Sequence, residues 1–199
     1  MTHWMQSRTG RLIDLDHPTP DMIDIEDIAH ALSMICRFGG QCRHFYSVAE
    51  HSLIVEQLGH KNLDEYSRLP NPTLAMALLL HDSAEAYIGD IITPIKNLFS
   101  PGVQDLEALW LSTIQKRFNL GTTLAHPEPA IRQSDLEALS IEVKTLFDPK
   151  TEWCNSFVVP TNEHLKRISV MCLSPHKAKQ RFLSRFKEIQ RALHLSSIP

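Results

Sequence analysis

The sequence predicts an all-α bundle with minor β structure, and three observations carry that expectation. Apolar residues recur with a 3.6-residue period in several capped segments. One run, LAMALLL (74–80), is apolar nearly all round, as a helix surrounded by other helices must be. Strand-like alternation is confined to the N-terminal end and to a short stretch near 150–170.

In chain order, GRLIDLDHPTP (10–20) alternates briefly and then meets two prolines, which suits a short strand or hairpin arm on the flank of the fold. Asp24 and Asp27 mark a helix start, and Ile25, Ile28, Leu32 and Ile35 form its stripe, stopping at Gly39-Gly40. A second helix spans about 47–58, with Ser47 as N-cap, Glu50 at the capping-box position and His51 inside the stripe of Val48, Val55 and Leu58. After a polar connector over 60–72, Asn71-Pro72-Thr73 starts a third helix that carries through 74–88 and stops at Gly89. Helices follow over about 103–118 and 129–147, then an irregular stretch over 148–173 with room for a small strand pair, then a basic amphipathic helix over 175–193 whose charged run is its wet face.

The chain has 199 residues, 43% hydrophobic and 22% charged, which suits one domain over 1–199 with its core at about 24–147. A net charge of -3 supplies no global field for a nucleic-acid backbone, so polymeric nucleic acid is excluded as a partner and any anionic ligand must meet local cations. Cys36, Cys42, Cys154 and Cys172 lack C-x-x-C spacing, no signal-peptide pattern is present, and the longest apolar run falls far short of the ~20 residues of a bilayer span. Cytoplasmic location, free thiols and no membrane insertion are the expectations.

The third helix ends in chemistry. His81, Asp82, Glu85 and Asp90 close an otherwise apolar segment, where an ionised group costs several kcal/mol, roughly, unless a metal, a charge or hydrogen bonds compensate. At helical spacing Glu85 lies one turn beyond His81, so His81 and Asp82 can hold an ion with Glu85 near it but free. A divalent ion takes imidazoles and carboxylates brought together from rigid elements, and His51 and Asp135 sit on the inward faces of two other helices. Asp135 borders an apolar face that includes Leu136, Leu139, Val143 and Leu146, while Glu142 lies two turns on as potential support for the site. His44, beside Arg43 and Tyr46, is a further candidate for the pocket. Taken singly, His51 also reads as a core histidine, Asp135 as a solvated carboxylate, Arg37 as a cation at a helix C-terminus and Lys96 as a surface lysine.

Arg37-Phe38, VAEHS (48–52), HDSAEAYIGD (81–90), TPIK (93–96) and IRQSD (131–135) together resemble the HD-domain phosphohydrolase superfamily, and within it the bacterial HD-type 5'-deoxynucleotidases and phage dATP triphosphohydrolases. The resemblance implies that His51, His81, Asp82 and Asp135 ligate one divalent ion, of Zn, Mn, Co, Ni, Fe or Mg. It implies that Glu85 activates or orients the attacking water, that Asp90 contacts the sugar end, and that Arg37, Thr93 and Lys96 meet phosphate. The implied substrate is a small nucleotide, a deoxynucleotide first and a dATP- or dAMP-type purine among them, and the implied assembly is a homo-oligomer. Phe38 stands where the 5'-deoxynucleotidases place a Trp near the sugar's 2' carbon, so exclusion of ribonucleotides must rest on a smaller ring here. A nucleotide-sensing scaffold without turnover and an alarmone hydrolase are the alternatives, whereas no GYP-bearing motif supports a cyclic-dinucleotide phosphodiesterase.

Overall fold

The computed structural model describes residues 3–59, 71–120, 129–158 and 168–196. A hairpin of β1 (Trp4–Gln6) and β2 (Leu12–Asp14) precedes helices α1 (Ile25–Met34), α2 (Val48–Gly59), α3 (Pro72–Leu80), α4 (Glu85–Ile88), α5 (Thr93–Leu98), α6 (Gly102–Phe118), α7 (Pro129–Leu146), α8 (Glu152–Asn155) and α9 (Pro175–Ser196). The fold is all-α with a small N-terminal sheet. The hairpin pairs Met5 with Ile13, whose side chain is fully buried, and Asp27 fastens it to α1 by accepting from the N–H and hydroxyl of Thr9, both at 2.7 Å.

α2 is the central element. It packs against α1, α3, α7 and α9, and every residue along it except Gln57 is buried, a broader burial than a single inward stripe because neighbours cover it on all sides. Ser47 caps it by accepting from the Glu50 N–H at 3.2 Å. The reciprocal half of the capping box is not made: the Glu50 carboxylate turns outward and accepts from the N–H groups of Met171 at 2.6 Å and Leu173 at 2.7 Å, tying the strap before α9 to α2.

Three sequence expectations shift. α1, capped by Asp24 on the Glu26 N–H at 2.9 Å, ends at Met34, before Gly39-Gly40. Cys36 instead bridges Ser47, and the chain reverses through a left-handed turn with positive φ at Phe38, Gly39 and Gly40 (59°, 59° and 75°), where two glycines carry the conformation without a Cβ penalty. Arg37 therefore lies in a loop, and a helix dipole does not explain it.

The expected helix over 74–88 is two helices. At its end the bonds shorten to i→i−3, from the Ser83 N–H to the Leu80 carbonyl and from the Glu85 N–H to the Asp82 carbonyl, both at 3.0 Å, and the winding tightens over 81–84. This turn departs from the continuous 3.6-residue winding expected over 74–88, and α4 starts anew at Glu85. On α7 the buried stripe runs through Ile131, Ser134, Ala138, Ile141 and Glu142, whereas Leu136 is exposed, which rotates Glu142 into the centre of the interface with α2.

Around 150–170 the described residues contain α8 and extended chain but no strand, and the rest of the stretch where a strand pair was expected, 159–167, lies outside the described residues, as does most of the 60–72 connector. The four cysteines are free. Among the described residues no helix is long and apolar enough to cross a membrane.

Candidate metal centre

Three elements deliver four side chains to one point: α2 presents His51, the tightened turn after α3 presents His81 and Asp82, and α7 presents Asp135. His51 Nε2 is the hub, 3.2 Å from His81 Nε2, 3.3 Å from Asp82 Oδ2 and 3.2 Å from Asp135 Oδ1. His81 Nε2 lies 3.2 Å from Asp82 Oδ2 and 3.9 Å from Asp135 Oδ1. Four ligands at ~2.1 Å from a tetrahedral ion stand ~3.4 Å apart, so the four separations of 3.2–3.3 Å lie close to the edges of such a shell and the 3.9 Å one is longer. His51, His81 and Asp135 form a group that could hold a metal ion, and Asp82 adds a carboxylate oxygen within 3.3 Å of both imidazoles.

The proton inventory favours a cation as well. His81 Nδ1 lies 2.9 Å from the Leu78 carbonyl, which only accepts, so Nδ1 carries a hydrogen and Nε2 is the nitrogen turned to the cluster. His51 Nδ1 donates to Glu142 Oε1 at 2.6 Å, with the same consequence. With both rings in their neutral form, two bare nitrogens and two carboxylates would converge with no hydrogen among them, the donor set that a cation takes up.

Without an ion the group is balanced by sharing protons. Burial and the Arg37 charge push the His51 imidazolium down, but Glu142, Asp135 and Asp82 outweigh them and hold it well above the ordinary value. Burial raises Asp82, yet His81 and His51 hold it well below the usual carboxylate range. Asp135 is lowered for the same reason, His51 outweighing burial, but its side chain is 43% exposed and solvent weakens the effect.

Around the cluster, Arg37 Nη1 lies 3.3 Å from Asp82 Oδ2 and its Nε 3.4 Å from Glu142 Oε2; burial opposes its charge, and Glu142 and Asp82 more than compensate. Glu85 is buried, its Oε2 has no hydrogen-bond partner, and burial followed by the charges of Asp82 and Asp90 raises it well above the carboxylate range. Lys96 stands 3.9 Å from Glu85 but bonds Glu107 at 3.0 Å, so the site holds it from two sides rather than leaving it at the surface. Asp90 accepts from the Phe38 N–H at 3.1 Å, which anchors the left-handed turn; burial raises Asp90. The Phe38 ring lies 5.4 Å from the Arg37 guanidinium carbon and packs edge-on against Phe147. Thr93 is exposed at the first position of α5, with no recorded contact to the cluster. His44 is exposed and stays outside. Its neighbour Tyr46, fully buried and donating to Glu142 at 2.8 Å, joins instead. Glu107, the partner of Lys96, carries no distinguishing pattern in the sequence, being an acidic residue on a surface-type helix.

Fold and site together define a helical protein with a His- and Asp-built metal-competent centre. No family model matches the chain. It is 32% identical over 197 residues to RCAP_rcc00048 of Rhodobacter capsulatus, covering 96% of this chain and 97% of that one, and 30% identical over 187 residues to YfdR of Escherichia coli strain K12, covering 94% and 95%; both relatives are described as uncharacterized proteins. The chain belongs to the family of these two proteins.

Proposed function

We propose that the protein is an HD-domain, metal-dependent phosphohydrolase of nucleotides, with deoxynucleotides as preferred substrates. The observation that carries the reading is the cluster of His51, His81, Asp82 and Asp135 with two further groups beside it, the Arg37 guanidinium 3.3 Å from Asp82 and the buried Glu85 with an unengaged oxygen. A divalent ion held there would supply Lewis-acid polarisation of a phosphoryl oxygen and activation of water.

The chain's own residues divide the rest of the work. Arg37 receives non-bridging phosphate oxygens in place of its long contact with Asp82, which suits a planar fork of donors. Glu85, with its proton affinity raised by burial and by Asp82, accepts a proton from the attacking water and returns it to the leaving oxygen. Lys96, between Glu107 and Glu85, restrains the Glu85 carboxylate and offers a second positive charge to the phosphate end. Asp90 acts through the Phe38 turn, holding the ring that faces the sugar. Cytoplasmic action on small nucleotides by a homo-oligomer belongs to the same reading.

A panel of dNMPs, dNTPs and their ribose counterparts with Mn, Co or Zn tests it, reading phosphate, pyrophosphate and triphosphate release. The expected result is metal-dependent release from deoxynucleotides, abolished by a chelator. No release from any member would overturn the reading and favour a nucleotide sensor.

A further inference from the structure

Glu142 is fully buried in the C-terminal part of α7, on a stripe otherwise built from Ile131, Ser134, Ala138, Ile141, Val143 and Leu146. An apolar side chain there would serve packing alone at least as well. Instead Oε1 receives the hydrogen of His51 Nδ1 at 2.6 Å and that of the Tyr46 hydroxyl at 2.8 Å, while Oε2 faces Arg37 Nε at 3.4 Å. The two neighbours of Oε1 present hydrogens, and Oε2 pairs with the Arg37 charge at ion-pair distance without a hydrogen bond, so a carboxylate is the side chain that serves all three.

We propose that Glu142 is a positioning residue that couples the two halves of the site, fixing the His51 tautomer that turns bare Nε2 toward the metal and, through its other oxygen, the Arg37 guanidinium that meets the phosphate. Tyr46 holds the carboxylate in the rotamer that serves both. The inference rests on the metal-and-phosphate reading for what the two halves bind. One carboxylate between them means that disturbing it weakens both ligands together, although it touches neither.

The test is Glu142→Gln, which keeps the shape but must turn an NH2 toward one of three donors. Titration calorimetry reads Mn²⁺ binding, then inorganic phosphate binding to the Mn²⁺-loaded protein, with circular dichroism as the check on folding. The expected result is Mn²⁺ affinity reduced about 10–100-fold and phosphate affinity at saturating Mn²⁺ reduced about tenfold, as loss of a charge-assisted contact at Arg37 requires. Both affinities unchanged in a folded variant, or Mn²⁺ weakened with phosphate unaffected, would overturn the coupling.

Should the variant not fold, ¹⁵N-histidine NMR of the Zn²⁺-loaded wild type is the second measurement: His51 as the Nδ1–H tautomer is expected, and the Nε2–H tautomer would overturn the proposal. None of these readouts needs turnover. A protein that passes them yet hydrolyses no nucleotide keeps the positioning role and loses the hydrolase reading, whereas a wild type that binds no divalent ion overturns the positioning role itself.

Discussion

Two faces of α2 bury acidic groups and satisfy them in opposite ways. On the face toward α9 each acceptor meets a donor: Glu50 takes the N–H groups of Met171 and Leu173, and Glu56 takes Arg185 at 2.7 Å. On the face toward α7, the Nε2 atoms of His51 and His81 crowd against Asp82 and Asp135 at separations from 3.2 to 3.9 Å, their Nδ1 hydrogens already engaged elsewhere. The first face is electrostatically closed, while the second gathers imidazole nitrogens and carboxylates that could hold a metal ion. Burial of charge is common to both, so it is the donor inventory that separates a structural carboxylate from a ligand.

The largest expected effect breaks the open face. Glu85→Gln removes the proton acceptor but no ligand, so metal binding should persist while phosphate release falls about 10²–10⁴-fold. Wild-type turnover in that variant would move the role to Asp90.

Breaking the closed face should do the reverse. Glu50→Ala strands the Met171 and Leu173 N–H groups and should lower unfolding stability by about 2–3 kcal/mol, read by urea denaturation, with Mn²⁺ affinity unchanged. A loss of metal binding would show that the two faces are not independent.

The smallest effect is graded with pH. His51 is held well above the ordinary imidazole value of 6.5 by Glu142, Asp135 and Asp82, against burial and Arg37, and only the neutral ring ligates. Metal affinity should therefore rise with pH, by about tenfold per unit below the folded-state value, with one proton released on uptake. The metal-free protein should behave oppositely: a raised imidazole contributes stability that is fully present below 6.5 and is lost as pH rises through the folded value. Thermal melts across pH, with and without Mn²⁺, should diverge accordingly. Parallel curves would remove His51 from the ligand set.

Much of this contrast was legible in the chain itself. Helical period and caps located α1, α2, α3, α6, α7 and α9, because those signals are local, and the motifs at His51, His81-Asp82 and Asp135 stood out as ionisable groups on apolar faces. What was not legible depends on distant partners. Glu50 resembles a capping-box residue until a strap 121 positions away supplies better donors. The tightening over 81–84, which splits the expected helix in two, is a change of winding that composition does not signal. Tyr46 is an ordinary aromatic until α7 brings Glu142 to its hydroxyl, and the exposure of Leu136 shows that a rotation of the α7 stripe suffices to change which acidic residue is central.

The central claim is that the α7-facing cluster binds one cation, and the most direct measurement is a Mn²⁺ titration of wild type and Asp82→Ala by calorimetry, with elemental analysis of the loaded proteins. The expected result is one equivalent per chain in the wild type and none in the variant, because Asp82 Oδ2 lies within 3.3 Å of both imidazoles. No stoichiometric ion in the wild type, or an undiminished equivalent in the variant, would contradict it.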